Sequence, residues 1–161
     1  MKKLIVVAII IVALILIAFA FLSYNRPFRN NGDAMVPAYL DGDLLNVDQS
    51  VQEFSRGDVI VFNKPTSDNK DIVVKRIIAL PNEHIIIKNG NVIVNDKQLD
   101  LSTLISGNNY NILGTVDIAL NSDEYFVIGD NHMKSLDSRF DSFGPVKRDE
   151  IIGKVIGKLK K

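Results

Sequence analysis

Three stretches of the sequence hold the side chains whose types and spacing could do chemistry. The first is Ile72-Val73-Val74-Lys75-Arg76-Ile77-Ile78-Ala79, an apolar run interrupted by two adjacent cations. On a strand, Lys75 shares a face with Val73, Ile77 and Ala79, while Arg76 shares the other with Ile72, Val74 and Ile78. If both faces are covered, one cation must point inward. Burial disfavours an ammonium, so an inward Lys75 titrates below its usual ~10.4 and offers a neutral amine, a general base. The competing reading is an edge-strand lysine that discourages aggregation. The second stretch runs from Gly129 to Arg139 as GDNHMKSLDSR. There Asp137 and Arg139 could brace a loop as an ion pair, and Ser135 and Ser138 could orient a nearby base; a solvated turn is the alternative. The third is Asn31-Gly32-Asp33-Ala34-Met35-Val36-Pro37-Ala38, a turn of special-backbone residues followed by two apolar side chains, Met35 and Val36, expected to be exposed. Such a turn usually presents a reactive group, yet its centre holds the methyl of Ala34.

Other chemistries lack their residues. The chain has no Cys, which excludes disulfides, thiol catalysis and Cys-based metal sites. His84 and His132 are the two histidines, in no metal-binding spacing, and both are expected at the surface. No glycine-rich phosphate loop is present, so neither a metal nor a cofactor is expected. Formal net charge is zero, which gives no electrostatic case for nucleic acid.

The elements that must position these residues read as mainly β. Apolar, β-branched runs recur at 43–47, 57–62, 72–80, 85–87, 92–94, 125–128 and 151–159, separated by Gly, Asn, Asp or Pro. Ile85 to Val94, with Asn89-Gly90 between its arms, reads as a tight hairpin. Residues 95–122 are least regular and read as an extra hairpin or loop insertion, not a second full domain. Ahead of this body lies an unbroken apolar run from Leu4 to Leu22, preceded by Lys2 and Lys3. As a helix of about 19 residues it spans ~28 Å, close to the hydrocarbon core of a bilayer. A cleaved signal peptide usually has a shorter apolar stretch, so an uncleaved anchor is expected. Its short basic tip favours a cytoplasmic N-terminus, with the body outside the membrane. The expected organisation is a tip and transmembrane anchor at 1–24, a linker at 25–31 and an extracytoplasmic β domain at 32–161.

In order, the motifs are an anchor, Gly-Asp-x-Met-x-Pro, Gly-Asp-Val-Ile-Val-Phe, Lys-Arg-Ile-Ile-x-Leu-Pro and Gly-Asp-Asn-x-x-x-Ser-x-Asp-Ser-Arg. This series resembles bacterial type I signal peptidases, particularly the small single-anchor Gram-positive form, from the anchor through Gly144. The resemblance implies a signal-peptidase-like β-sheet catalytic body on one N-terminal transmembrane helix. It implies a Ser/Lys endopeptidase that removes signal peptides from exported preproteins at Ala-x-Ala-type sites. Ala34 matches the nucleophile position, where Ser is expected, and Lys75 matches the general base. Ser135 matches a serine that orients the lysine, Asp137 and Arg139 match a bracing pair, and Asp130 belongs to the same box. Met35, Val36, Pro37, Val73 and Ile77 are the expected substrate contacts. The implied partners are signal peptides and the lipid bilayer; nothing in the sequence sets an oligomeric state. Departures include Gly32 where some members have Ser, Ala38 for Thr, His132 for a common Arg and Lys134 for a common Asn. With alanine at 34 the chain is expected to be a catalytically dead variant. The alternatives are a natural pseudoenzyme that binds signal peptides or an active peptidase without cleaving, a self-cleaving repressor-type Ser–Lys peptidase, and an anchored β-scaffold with no site.

Overall fold

The computed structural model describes residues 2–24, 27–65, 70–105 and 112–159. The β-branched runs pair into two antiparallel sheets. The larger contains β1 (Phe28–Arg29), β2 (Leu44–Asp48), β3 (Val59–Pro65), β4 (Lys70–Ala79), β9 (Glu124–Ile128), β10 (Val146–Lys147) and β11 (Ile151–Lys158). The smaller contains β5 (His84–Lys88), β6 (Asn91–Val94), β7 (Lys97–Gln98) and β8 (Val116–Ala119). Their strand orders are β1-β2-β11-β3-β4-β9-β10 and β7-β6-β5-β8. Asn89 and Gly90 hold φ of 52° and 79°, the left-handed pair that a two-residue hairpin between β5 and β6 requires.

Two sequence expectations change here. The linker expected at 25–31 is part of the body from Pro27 onward; residues 25 and 26 lie outside the described residues. Phe28 pairs with Leu45 and Arg29 with Leu44. Buried Asn30 then fastens the next turn, its side chain donating to Leu40 O at 2.9 Å and its N–H to Asp43 O at 2.8 Å. The region 95–122 is also more than an appended hairpin. Its β7 and β8 flank β6 and β5, so it completes a second sheet around the hairpin; 106–111 lie outside the described residues.

β4 is an interior strand. It pairs with β3 from Lys70 to Arg76, with Ile60 opposite Lys75, and with β9, where Arg76 faces Ile128 and Ile77 faces Val127. The edge-strand reading of Lys75 is thereby excluded. Alternation along β3 and β4 sends Ile60, Phe62 and Ile77 into one apolar cluster, and Val59, Val61 and Val74 into another with Met35 and Leu45. Ile78, Ala79, Phe126 and Ile128 pack instead against Ile85, Ile87 and Val116 of the smaller sheet. The pair of clusters makes β4 rigid on both sides, and Lys75 and Arg76 inherit that rigidity.

Helix α1 (Lys2–Tyr24) precedes the sheets. Its side chains are described over 3–19, and all of them are exposed, including Leu4, Ile9, Leu16 and Phe19. Among the described residues no helix is long and apolar enough to cross a membrane. The anchor is therefore taken up below as a proposal.

Candidate active site

Lys75 is only 5% exposed, although its strand neighbours leave it beside open space. It lines a cleft of ≈ 300 Å³ together with Val73, Lys64, Asp71, Leu136, Ser142 and Phe143. Burial holds its amine below the usual lysine range; the Asp137 carboxylate pulls the other way and the Arg139 guanidinium reinforces the burial. The adjacent cation is accommodated differently. Arg76 turns to the opposite face and grips Asp130, Nε to Oδ1 at 2.8 Å and Nη2 to Oδ2 at 2.6 Å. Its remaining arm donates to Gly57 O at 2.7 Å. Sequence reasoning expected one inward cation; both are enclosed, one neutralised by a partner and one by its surroundings.

The loop after β9 is built on a second buried pair. Asp137 is fully buried and accepts from Arg139 Nε at 2.7 Å and Nη2 at 3.0 Å, and from Gly129 N–H at 3.0 Å. Arg139 Nη2 also donates to His132 O at 2.9 Å. One side-chain pair thus closes the loop onto the end of its own strand. Ser138 accepts from Val127 N–H at 3.1 Å, which pins the loop to β9. Ser135 Oγ is buried and has no hydrogen-bond partner. His132, expected at the surface, is 6% exposed. Its Nδ1 lies 3.0 Å from Gly129 O, a contact to a carbonyl that requires the proton on Nδ1, and its Nε2 is buried without a partner. Burial and the nearby Arg139 lower its pKa and keep the ring neutral.

The turn around Ala34 is clamped to this loop. Asn131 donates its backbone N–H to Ala34 O at 2.9 Å and its side-chain amide to Asp33 O at 3.1 Å. Lys134 Nζ pairs with Asp33 Oδ2 at 2.7 Å, which occupies the only carboxylate next to Ala34 in sequence. Gly32 takes φ of 79°, and its N–H donates to Asp41 Oδ1 at 2.7 Å. Met35 corrects the expectation of an exposed side chain. It is fully buried in the cluster with Leu45, Val59 and Val74, anchoring the turn from beneath. Ile77 is fully buried as well, so neither Met35 nor Ile77 has surface to offer a peptide. Val36 is half-buried, Pro37 is exposed, and Val73 borders the cleft.

Gly129 is where the pieces meet. A Cβ on Gly129 would lie 2.3 Å from Ser135 Oγ and 2.5 Å from Ala34 O. Carrying the β4–β9 register one residue past Arg76–Ile128 brings Lys75 alongside Gly129. Absence of a side chain at 129 is what lets Ser135 and the Ala34 turn approach the end of β9. Asp130, Asn131 and Lys134 were legible only as a polar cluster; their clamps to Arg76 and Asp33 are long-range and leave no local pattern.

The family follows from comparison on this geometry. The signal peptidase model of peptidase family S26 matches residues 1–159, and the chain belongs to that family. Signal peptidase I U of Bacillus subtilis is 33% identical over 162 residues, 95% of this chain and 84% of the relative. Signal peptidase I of Bacillus amyloliquefaciens is 34% identical over 137 residues, 79% and 69% of the two chains. The crystal structure of a signal peptidase I from Enterococcus faecalis superposes with a TM-score of 0.52 at 28% identity, covering 65% of this chain and 98% of that one. The chain shares with these relatives a mainly β fold and membership among the bacterial type I signal peptidases.

Proposed function

We propose that this chain is a membrane-held endopeptidase of the secretory route in which the nucleophile position carries alanine. With serine at 34, the neutral Lys75 amine takes the hydroxyl proton as the oxygen attacks the scissile carbonyl. The protonated lysine then gives that proton to the leaving amine, and water releases the acyl group by the same route. Ser135 orients the lysine, and the Asp137–Arg139 pair holds the loop that carries Ser135. The Ala34 N–H contributes to the hole that binds the developing oxyanion. The observation that carries this reading is the amine of Lys75, desolvated inside an interior strand yet bordering an open cleft. An extended signal-peptide segment lies along that cleft, with small Ala-x-Ala side chains against Val36, Pro37 and Val73.

As it stands the chain binds without cutting. In subtilisin, a serine peptidase of unrelated fold, loss of the nucleophile costs ~10⁶ in turnover. Asp33 is no substitute, since Lys134 holds its carboxylate. α1 is the anchor in this reading: it carries the unbroken apolar run that begins at Leu4, and its side chains from Leu4 to Phe19 are exposed apolar groups that water does not favour. The N-terminus is cytoplasmic and the sheets are extracytoplasmic.

The test is Ala34→Ser in detergent with a preprotein bearing an Ala-x-Ala site. Hydrolysis at that site, lost again on adding Lys75→Ala, is expected. No hydrolysis by a folded Ala34→Ser protein rejects the peptidase reading, and peptide binding without cleavage in that protein favours a pseudoenzyme.

A further inference from the structure

In the chain as it exists, the base has no hydroxyl at residue 34 to deprotonate. Among the described residues the Lys75 amine also has no hydrogen-bond or ion-pair partner. It nonetheless borders a cleft of ≈ 300 Å³ whose walls include Val73, Leu136 and Phe143. The cleft's other lysine is engaged: Lys64 Nζ lies 4.7 Å from the Phe143 ring centre and donates to Pro145 O at 3.4 Å. We propose that Lys75 is an imine-forming site for small apolar aldehydes that enter this cleft.

The step balances without a further reactant. The amine lone pair attacks the aldehyde carbon, and the carbonyl π electrons move to oxygen. A proton passes from nitrogen to that oxygen, giving a carbinolamine. The second N–H proton and the hydroxyl then leave as water, and a C=N bond forms. Amine, aldehyde, imine and water are all uncharged, so the reaction places no net charge in the desolvated cleft, unlike protonation of the same lysine. The lowered proton affinity that burial gives Lys75 supports this by raising the share of free amine at neutral pH. With Ala34 the nucleophile position holds no hydroxyl to compete for the carbonyl carbon.

Imine formation requires no peptide hydrolysis, so its fate is separate from that of the peptidase reading. The full chain in detergent is incubated at neutral pH with butanal and cyanoborohydride, which fixes an imine as a butyl amine, and digested for mass mapping. One adduct per chain, on Lys75, is expected, together with loss of that adduct in Lys75→Met. Labelling confined to exposed lysines with Lys75 untouched overturns the proposal, as does labelling of Lys75 no faster than that of exposed Lys134. Mapping on the unsubstituted chain carries the result even if Lys75→Met fails to fold. Failure here with hydrolysis by Ala34→Ser intact leaves the peptidase reading standing; the reverse outcome rejects that reading alone.

Discussion

Arg76 and Asp130 are joined by two bonds, at 2.8 and 2.6 Å, that tie the middle of β4 to the first residues of the loop following β9. The Asp130 side chain is fully enclosed and that of Arg76 is 11% exposed. Removing one partner leaves the other charge buried and uncompensated, which typically costs about 3–5 kcal/mol. Asp130→Ala is therefore expected to lower stability by about that amount, read from the midpoint of urea unfolding. Arg76→Met combined with Asp130→Ala should recover part of the loss. An Asp130→Ala protein as stable as the unsubstituted chain would show that this pair does not hold the loop.

Gly129→Ala tests the junction directly. The added methyl would lie 2.5 Å from Ala34 O, a backbone atom already bound by Asn131, so rotamer change cannot relieve it. Overpacking of this kind costs about 1–3 kcal/mol, and relief requires the Ala34 turn or the Ser135 loop to move. The expected outcome is a moderately destabilised protein in which exchange protection of the Asn131 amide is lost. Retained protection would mean that the turn tolerates the methyl without separating from the loop.

What the sequence made legible was local. Alternation in 72–79 put Lys75 and Arg76 on opposite faces, and the hairpin at Asn89-Gly90 fell where the turn chemistry predicts. Ion pairing of Asp137 with Arg139 was readable because the two lie two positions apart in the chain. Met35 was misjudged because its neighbours in the turn are polar, while its partners Leu45, Val59 and Val74 come from three strands. His132 was misjudged for the same reason: a mostly polar loop hides a ring that folds back on Gly129. The linker failed as a linker because Asn30 finds its acceptor ten residues away. No local pattern reports such closures.

Burial of Lys75 makes stability depend on pH in a definite direction. Its folded-state pKa lies below the unfolded value of ~10.4, so between the two the unfolded chain holds the extra proton. Stability then rises with pH across that window, is complete above ~10.4, and is lost as pH falls through the folded-state value. Lys75→Met removes this dependence and is expected to raise stability at neutral pH, with a flatter profile on the alkaline side. Urea midpoints for both proteins across the alkaline range check it; parallel profiles would show Lys75 to be solvated.

His132 adds an acid limb of the same sign. Its folded-state pKa is below ~6.5, so its contribution is present above that value and fades as pH falls through the folded one. The proton would enter a site enclosed by Arg139, Asp137 and Asp130, where Arg139 repels it. His132→Asn is expected to reduce the acid sensitivity of unfolding below neutral pH. If the acid limb is unchanged, titrating carboxylates account for it instead.

Ser135 separates stability from chemistry. Its hydroxyl is buried with no partner, so Ser135→Ala discards no hydrogen bond and relieves an unsatisfied group. Stability should be unchanged or slightly higher. If the hydroxyl turns to hold the Lys75 amine when substrate is bound, its loss misplaces the base, and misplacements of this kind can cost about 10²-fold in rate. In an Ala34→Ser background, Ser135→Ala is therefore expected to lower kcat by about 10²-fold with little change in KM. The acid limb of its pH profile, where activity rises as the Lys75 amine loses its proton, should also shift, as Lys75 loses a neighbour that distinguishes its two protonation states. A fall in stability together with an unchanged kcat would make Ser135 a packing residue with no part in orienting the lysine.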